Sequence, residues 1–296
     1  MFGVKQQREG VGMIGDRPSQ GRISRRNFTM STIAAGVAVS AGKAGAATPV
    51  TRRDVQVRTD DGVMDAVLIA PDGKRRSPGV IFYPDAFGLR PVMTDMGARL
   101  AGNGYAVIVI NQFYRLRPAP VLAPGFSFDN PEDRAQLMGM IAALDHEKVM
   151  TDASALVDFL DTQPEVDNKA RMGTVGFCMG GAMAIRTAAA KPARTGAVIS
   201  FHGGRLVTED TSSPHRLVGG TAAAYHIAIA ADDDAKEPDA KGALRQAFDT
   251  ADRLASIEVY PGTLHGWMVP DSDAYNPEQA ERGWSVMTAL FKRELV

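Results

Sequence analysis

Apolar positions along this chain fall into short runs bounded by turn residues, with helical patterns between them. Residues 54–59 alternate apolar and polar as a strand. Asp60-Asp61-Gly62 is a hairpin signal leading into a second strand over 63–70. Gly79-Val80-Ile81-Phe82-Tyr83 and residues 105–110, YAVIVI, are continuous apolar runs, the look of strands buried on both faces. Between them residues 94–101 read as a short helix that ends in Gly102-Asn103-Gly104. A proline-rich loop follows, then helical patterns over 132–144 and 149–162. Further strands are predicted over 173–177, 196–201, 225–231 and 256–260, and helices over 181–190, 242–254 and 277–291.

Strands alternating with helices predict an α/β fold, a mostly parallel sheet flanked by helices, with the opening hairpin as an antiparallel edge. In such sheets ligands bind beyond the carboxyl ends of the strands. Chemistry is therefore expected just after Tyr83, Ile110, Phe177, Phe201, Ala231 and Tyr260. Composition narrows the class. The 296 residues are 45% hydrophobic and 23% charged, a globular profile, and the net charge of −1 gives no electrostatic footing for nucleic acid or an anionic membrane. One cysteine forms no internal disulfide. No apolar run reaches the ~18 residues needed to span a bilayer.

Residues 1–46 read as an export signal rather than as part of the domain, which is expected to occupy 47–296. Ser24-Arg25-Arg26-Asn27-Phe28 precedes a modest apolar stretch over 31–41 and a small-x-small site ending at Ala46. The adjacent arginines resemble a twin-arginine signal, which implies a bacterial translocase as partner and a periplasmic or otherwise exported product. A basic tail with a chance Arg-Arg pair is the alternative. The long n-region is consistent with translation starting downstream, at Met13.

The lone thiol stands in Gly176-Phe177-Cys178-Met179-Gly180, between a predicted strand and a predicted helix. A buried, inert cysteine is one reading of it. The other is a nucleophile on a sharp strand-to-helix turn, where a helix N-terminus and a neighbouring histidine favour the thiolate. Asp232-Asp233-Asp234 follows a later strand, and His265 follows the last one, within Pro261-Gly262-Thr263-Leu264-His265-Gly266-Trp267. The order nucleophile, acid, histidine is that of the α/β-hydrolase fold. In it Cys178 attacks, His265 moves the proton, and an acid such as Asp234 fixes the imidazole tautomer. The backbone N–H groups of Met179 and Ala86 are placed to form an oxyanion hole. His202, just after a strand, is the one rival for His265. The pattern calls for no metal or cofactor.

The motifs PDAFG, NQFYR, GFCMGGA, AADDDAKEP and YPGTLHGWMVPD together resemble the dienelactone hydrolase family across essentially the whole domain. The resemblance implies an α/β-hydrolase fold, a Cys178–His265–Asp234 triad, and hydrolysis of an ester or lactone through a thiol-acyl intermediate. Asp234 is preferred because the family's acid stands four residues before a proline, here Pro238. A carboxylate after the first core strand, here Asp85, is implied to hold the resting thiol. Tyr114, Phe87, Trp267 and Val269 are implied to line the substrate pocket with Arg115. Members acting on dienelactone hold its carboxylate with two arginines. Arg115 matches the first and Val269 replaces the second, so neutral esters are expected to be accepted about as well as carboxylated ones. The reading from another class is a non-catalytic exported member that binds a ligand or senses redox state through its thiol.

Overall fold

The computed structural model describes residues 48–73 and 75–296; the expected export signal lies outside them. β1 (Val50–Thr59) and β2 (Gly62–Pro71) form the hairpin, Thr59 facing Gly62 across a two-residue turn. β1 starts four residues earlier than its alternation indicates, because Arg52 and Arg53 lie on an exposed edge yet keep the ladder with β2. In chain order there follow β3 (Gly79–Tyr83), α1 (Pro91–Ala101), β4 (Ala106–Ile110), α2 (Pro131–Ala142) and α3 (His146–Asp161). Then come β5 (Met172–Phe177), α4 (Met179–Ala190), β6 (Thr195–Phe201) and a four-residue helix α5 (Pro214–Leu217). β7 (Ala224–Ala230), α6 (Ala231–Lys236), α7 (Ala240–Thr250), β8 (Ala255–Tyr260) and α8 (Pro277–Leu295) complete the chain.

The strands make one sheet in the order β1-β2-β4-β3-β5-β6-β7-β8. β1 and β2 run antiparallel to their neighbours and the rest are parallel, as expected. Every residue of β3, β4, β5 and β6 is buried. Alternate side chains feed opposite cores: Val80 and Phe82 pack with α1 and α8, while Ile81 and Tyr83 pack with α3 and α4. Helix starts follow local chemistry. Asn130, Asp145 and Asn276 accept backbone N–H bonds at the first turns of α2, α3 and α8, with Pro131 and Pro277 at the first position of α2 and α8. The Asp145 cap starts α3 three residues before its apolar periodicity shows. Among the described residues no helix is long and apolar enough to cross a membrane.

The site is positioned by strand order. β3 lies between β4 and β5, so the chain leaves β3 toward one edge and returns across it to reach β5. The carboxyl ends of β3 and β5 therefore flank the crevice where direction reverses. Tyr83 pairs with Gly176, which brings the loop of Asp85 and Ala86 out beside Cys178.

Two helical glycines test how tightly this frame is packed. A Cβ at Gly283 of α8 would lie 2.9 Å from Phe201 and 3.2 Å from both Trp267 and Met268. A Cβ at Gly139 of α2 would meet nothing within 4 Å. Gly283→Val is expected to cost about 1–3 kcal/mol by overpacking, and Gly139→Ala to gain up to about 1 kcal/mol through helix propensity. Urea unfolding of both variants checks the pair; a neutral Gly283→Val would show that α8 is free to shift off the sheet.

Candidate active site

Cys178 sits at the turn from β5 into α4 with φ 53 and ψ −122, outside the ordinary regions for a residue with a side chain. Such strain costs of the order of 1–3 kcal/mol and persists only where the surroundings enforce it. Three glycines enforce it by close approach. A Cβ at Gly176 would fall 1.9 Å from the Gly180 carbonyl oxygen, one at Gly180 would fall 2.6 Å from that of Tyr83, and one at Gly181 would fall 2.2 Å from Ser200 Oγ. The flanking glycines thus serve packing, and the left-handed conformation falls on the cysteine. Its backbone N–H is shared between the Phe201 carbonyl at 3.1 Å and His202 Nδ1 at 3.2 Å. Its carbonyl accepts from Gly181 and Gly204. The N–H groups of Met179 and Ala86 donate to none of the turn, loop or cap acceptors among the described residues. Gln112, buried, donates to the Asp85 carbonyl at 2.7 Å and fixes the loop that carries Ala86.

His265 Nδ1 meets Asp233 Oδ2 at 2.7 Å, and the Cys178 thiol is near enough to act on the same ring. The acid on the histidine is therefore Asp233, not the Asp234 expected from the spacing to Pro238. The reason is that the three aspartates do not form a turn but the first turn of helix α6, where successive side chains diverge by about 100°. Asp232 pairs with Lys236, Asp233 with His265, and Asp234 takes two bonds from Lys241 at the start of α7. Thr263 ties the two loops together: its Oγ1 donates to the Tyr260 carbonyl and accepts from Ala231 N–H.

Several other expected contacts are not made. Asp85 does not face the thiol; Arg90 takes both its oxygens at 2.6 and 2.9 Å and bridges on to Asp271, locking the loops after β3 and β8 together. Arg115 is not open to a substrate. Its side chain is 13% exposed, forked onto buried Asp152 at 2.7 and 2.9 Å and bonded to Asp61. Tyr114 is buried beside it, its hydroxyl donating to Asp152 and meeting Thr59. Trp267 and Val269 are core residues, fully buried, because the chain turns at Gly266 (φ 96) toward α8; Trp267 stacks on Tyr260 at 4.6 Å. Phe87 stays half-buried in the loop after β3, edge-on to Phe126 at 5.8 Å.

His202, the rival to His265, has a different place. It is 1% exposed, its Nδ1 accepts the Cys178 N–H, and its ring lies 5.1 Å from that of His265. Burial, then the His265 charge, hold it well below the ordinary histidine value, so it is neutral with its proton assigned to Nε2. His265 moves the other way. Burial opposes its charge, but the hydrogen bonds to Asp233 and Cys178 outweigh that and raise it from 6.5 to about 10. A raised value means that the stabilisation is fully present below pH 6.5 and is lost as pH rises through about 10. Unfolding free energy is thus expected to fall less steeply across that window in Asp233→Asn than in the wild type, whereas Asp234→Asn should follow the wild type. Urea unfolding at both ends of the window measures it, and parallel profiles for all three proteins would show that Asp233 does not hold the imidazolium.

The sequence profile of the dienelactone hydrolase family matches residues 64–295. A carboxymethylenebutenolidase-like protein of Methylorubrum extorquens is 24% identical over 287 residues, 93% of this chain and 94% of the other. The carboxymethylenebutenolidase of Pseudomonas putida is 27% identical over 135 residues, 46% of this chain and 55% of its own. Among solved structures, the dienelactone hydrolase-like promiscuous phosphotriesterase P91 from metagenomic libraries superposes with a TM-score of 0.69 at 23% identity, over 83% of this chain and 99% of that one. With the eight-stranded sheet and its strained cysteine turn, these likenesses identify the chain as a member of the dienelactone hydrolase family, a carboxylic ester hydrolase with the α/β-hydrolase fold.

Proposed function

We propose that the chain hydrolyses esters or lactones through a thiol-acyl intermediate on Cys178. The observation that carries the reading is the strained cysteine beside an imidazole whose far nitrogen is fixed by a carboxylate, Cys178–His265–Asp233. An imidazolium next to sulfur favours the thiolate, the nucleophilic form. Sγ attacks the scissile carbonyl carbon, and the oxygen gains the electron pair. The N–H groups of Met179 and Ala86, which donate to none of the turn, loop or cap acceptors among the described residues, receive that oxyanion in this reading. Collapse of the tetrahedral species expels the alcohol oxygen, which takes the proton from His265, and leaves a thioester. Water, deprotonated by neutral His265, then attacks the thioester; the acid leaves and the thiolate returns. Asp233 holds the tautomer and the imidazolium throughout. A simple ligand-binding protein would have no use for the Asp233–His265 pair.

Cys178→Ala and His265→Ala are each expected to lower kcat by several orders of magnitude, and the double variant to be little worse, since such residues act as a unit. Asp233→Asn should lower kcat by about two to four orders, and Asp234→Asn far less. Rates on an activated aryl ester, with the initial burst titrated, supply the measurement. A stronger loss at Asp234 than at Asp233, or full turnover without Cys178, would overturn the assignment.

Export belongs to the same proposal and rests on the sequence around Arg25-Arg26 and Ala46. Translocases of this kind read a guanidinium pair rather than charge alone. Replacing both arginines by lysine should strand the precursor in the cytoplasm of the producing cell. Processed protein in the periplasm of that variant would exclude the twin-arginine route.

A further inference from the structure

A cavity of about 500 Å³ opens beside the elbow, walled by the face of α4 that carries Met179, Ala182, Met183 and Arg186. Gly204 and Arg205 line it too, and the same two residues line a smaller cavity of about 110 Å³ that contains Asp233 and His265. The two cavities thus adjoin across the loop whose Gly204 N–H donates to the Cys178 carbonyl. Three larger cavities, between β1 and α3, around Ser77 and Tyr105, and between α5 and α7, touch neither Cys178 nor His265.

The cavity beside the elbow holds two guanidinium groups that form no ion pair among the described residues. Arg186, only partly exposed, donates Nε to His146 Nδ1 at 3.1 Å and Nη2 to the Ser212 carbonyl at 3.4 Å. Its Nη1 has no acceptor among the described residues, and no carboxylate lies within 4 Å of the guanidinium. Arg205 is exposed at the shared wall with φ 55 and forms no ion pair among the described residues. Two carboxylates also line the cavity: Asp145 pairs with Lys148, while exposed Asp210 accepts from the Ser212 N–H and hydroxyl and acts on Arg186 through its charge without an ion-pair contact. By contrast Arg90 and Arg115, at the ends of β3 and β4, are each saturated by two aspartates.

Arg186 lies seven residues beyond Met179, so its backbone is about 10 Å along the helix axis from the oxyanion donor. A long helical side chain leans back toward the N-terminus, which shortens the gap. Met179, Ala182, Met183, Ile141 and Leu144 floor the intervening space with apolar surface. We infer that this cavity is the acyl-side subsite and that Arg186, with Arg205 at its mouth, binds an anionic group separated from the scissile carbonyl by an apolar spacer. This rests on the proposed thiol-acyl hydrolysis and specifies its substrate class: esters of ω-carboxylated acyl chains, in place of the indifference to charge that Arg115 and Val269 led us to expect.

The test uses 4-nitrophenyl monoesters of dicarboxylic acids with a short spacer (succinyl) and a long one (suberyl), each beside its terminal methyl ester. The long-spacer acid is expected to exceed its methyl ester in kcat/KM by about tenfold to hundredfold, the range of a charge-assisted contact, while the succinyl pair shows little difference. Arg186→Met should lower kcat/KM for the long-spacer acid by a similar factor more than for its methyl ester. Arg186→Lys should restore part of the preference, and Arg205→Gln should reduce it. Equal use of the acid and methyl ester by the wild type, or a loss in Arg186→Met that is the same for both, would overturn the subsite. Hydrolysis of none of the four esters would instead refute the parent reading. Thermal stabilisation of Cys178→Ala by suberate, abolished by Arg186→Met, would still support the anion site; no stabilisation would reject it.

Discussion

The conformation of Cys178 is the constraint around which the site is arranged. For α4 to start directly off β5, the helix backbone has to pass within contact distance of both its own strand and the end of β3. Only glycine fits at 176 and 180, and Gly181 is needed against Ser200 on β6. With the space taken by backbone, the chain turns between them at Cys178, which takes φ 53. The turn lifts the side chain off the sheet and leaves the N–H of the first helical residue pointing outward. Two acceptors hold the strained N–H, the Phe201 carbonyl and the His202 imidazole, so the end of β6 participates in the geometry of Cys178.

From that point the remaining parts follow the sheet. The β3–β5 register fixes where Ala86 emerges relative to Met179, and Gln112 at the end of β4 pins the loop between. β7 and β8 are paired so that Ala230 faces Tyr260, which starts α6 and the His265 loop side by side, and Thr263 bonds the two. The pair of buried Tyr260 and Trp267 rings anchors the histidine loop two residues beyond His265. Arg90 performs the same service on the other side of the crevice, joining Asp85 to Asp271. Burial weakens its charge, but the two carboxylates outweigh that and keep it protonated.

The architecture was legible because parallel strands covered on both faces appear as unbroken apolar runs, and such runs occur at β3 and β4. Cys178 and His265 were legible for a related reason: strand ends are where chemistry collects in this class of sheet. The identity of the acid was not. Reading Asp232-Asp233-Asp234 as a loop leaves all three equivalent, and only a helix, with its fixed rotation per residue, separates them. Helix starts were read late for the same local reason, since caps such as Asp145 precede the apolar positions. Pairings across the chain left no local trace. Nothing near Arg115 signals that Asp152 lies under it, and nothing near Asp85 distinguishes a thiol partner from a partner for Arg90 and, through it, Asp271.

Those distant pairings decide where the crevice can attract charge. A guanidinium forked onto a buried carboxylate presents little free charge and few free donors, whatever its position in the sequence. Arg90 and Arg115 are both in that condition, so the ends of β3 and β4 are electrostatically closed. The guanidinium groups that form no ion pair among the described residues stand on the opposite flank, on α4 and after β6, where His146 serves Arg186 as a neutral partner. Burial, and then the nearby Arg186 charge, lower His146, which makes it a neutral partner of Arg186 and not a counter-ion. Arg186 itself is lowered by burial, which outweighs the opposing charge of Asp210, and like-charged Arg205 adds to the lowering. Arginine persists in the protonated state despite such penalties. The fold therefore keeps two guanidinium groups without an ion pair, among the described residues, on a cavity that adjoins the elbow at Met179, and an anion carried by the substrate would supply one.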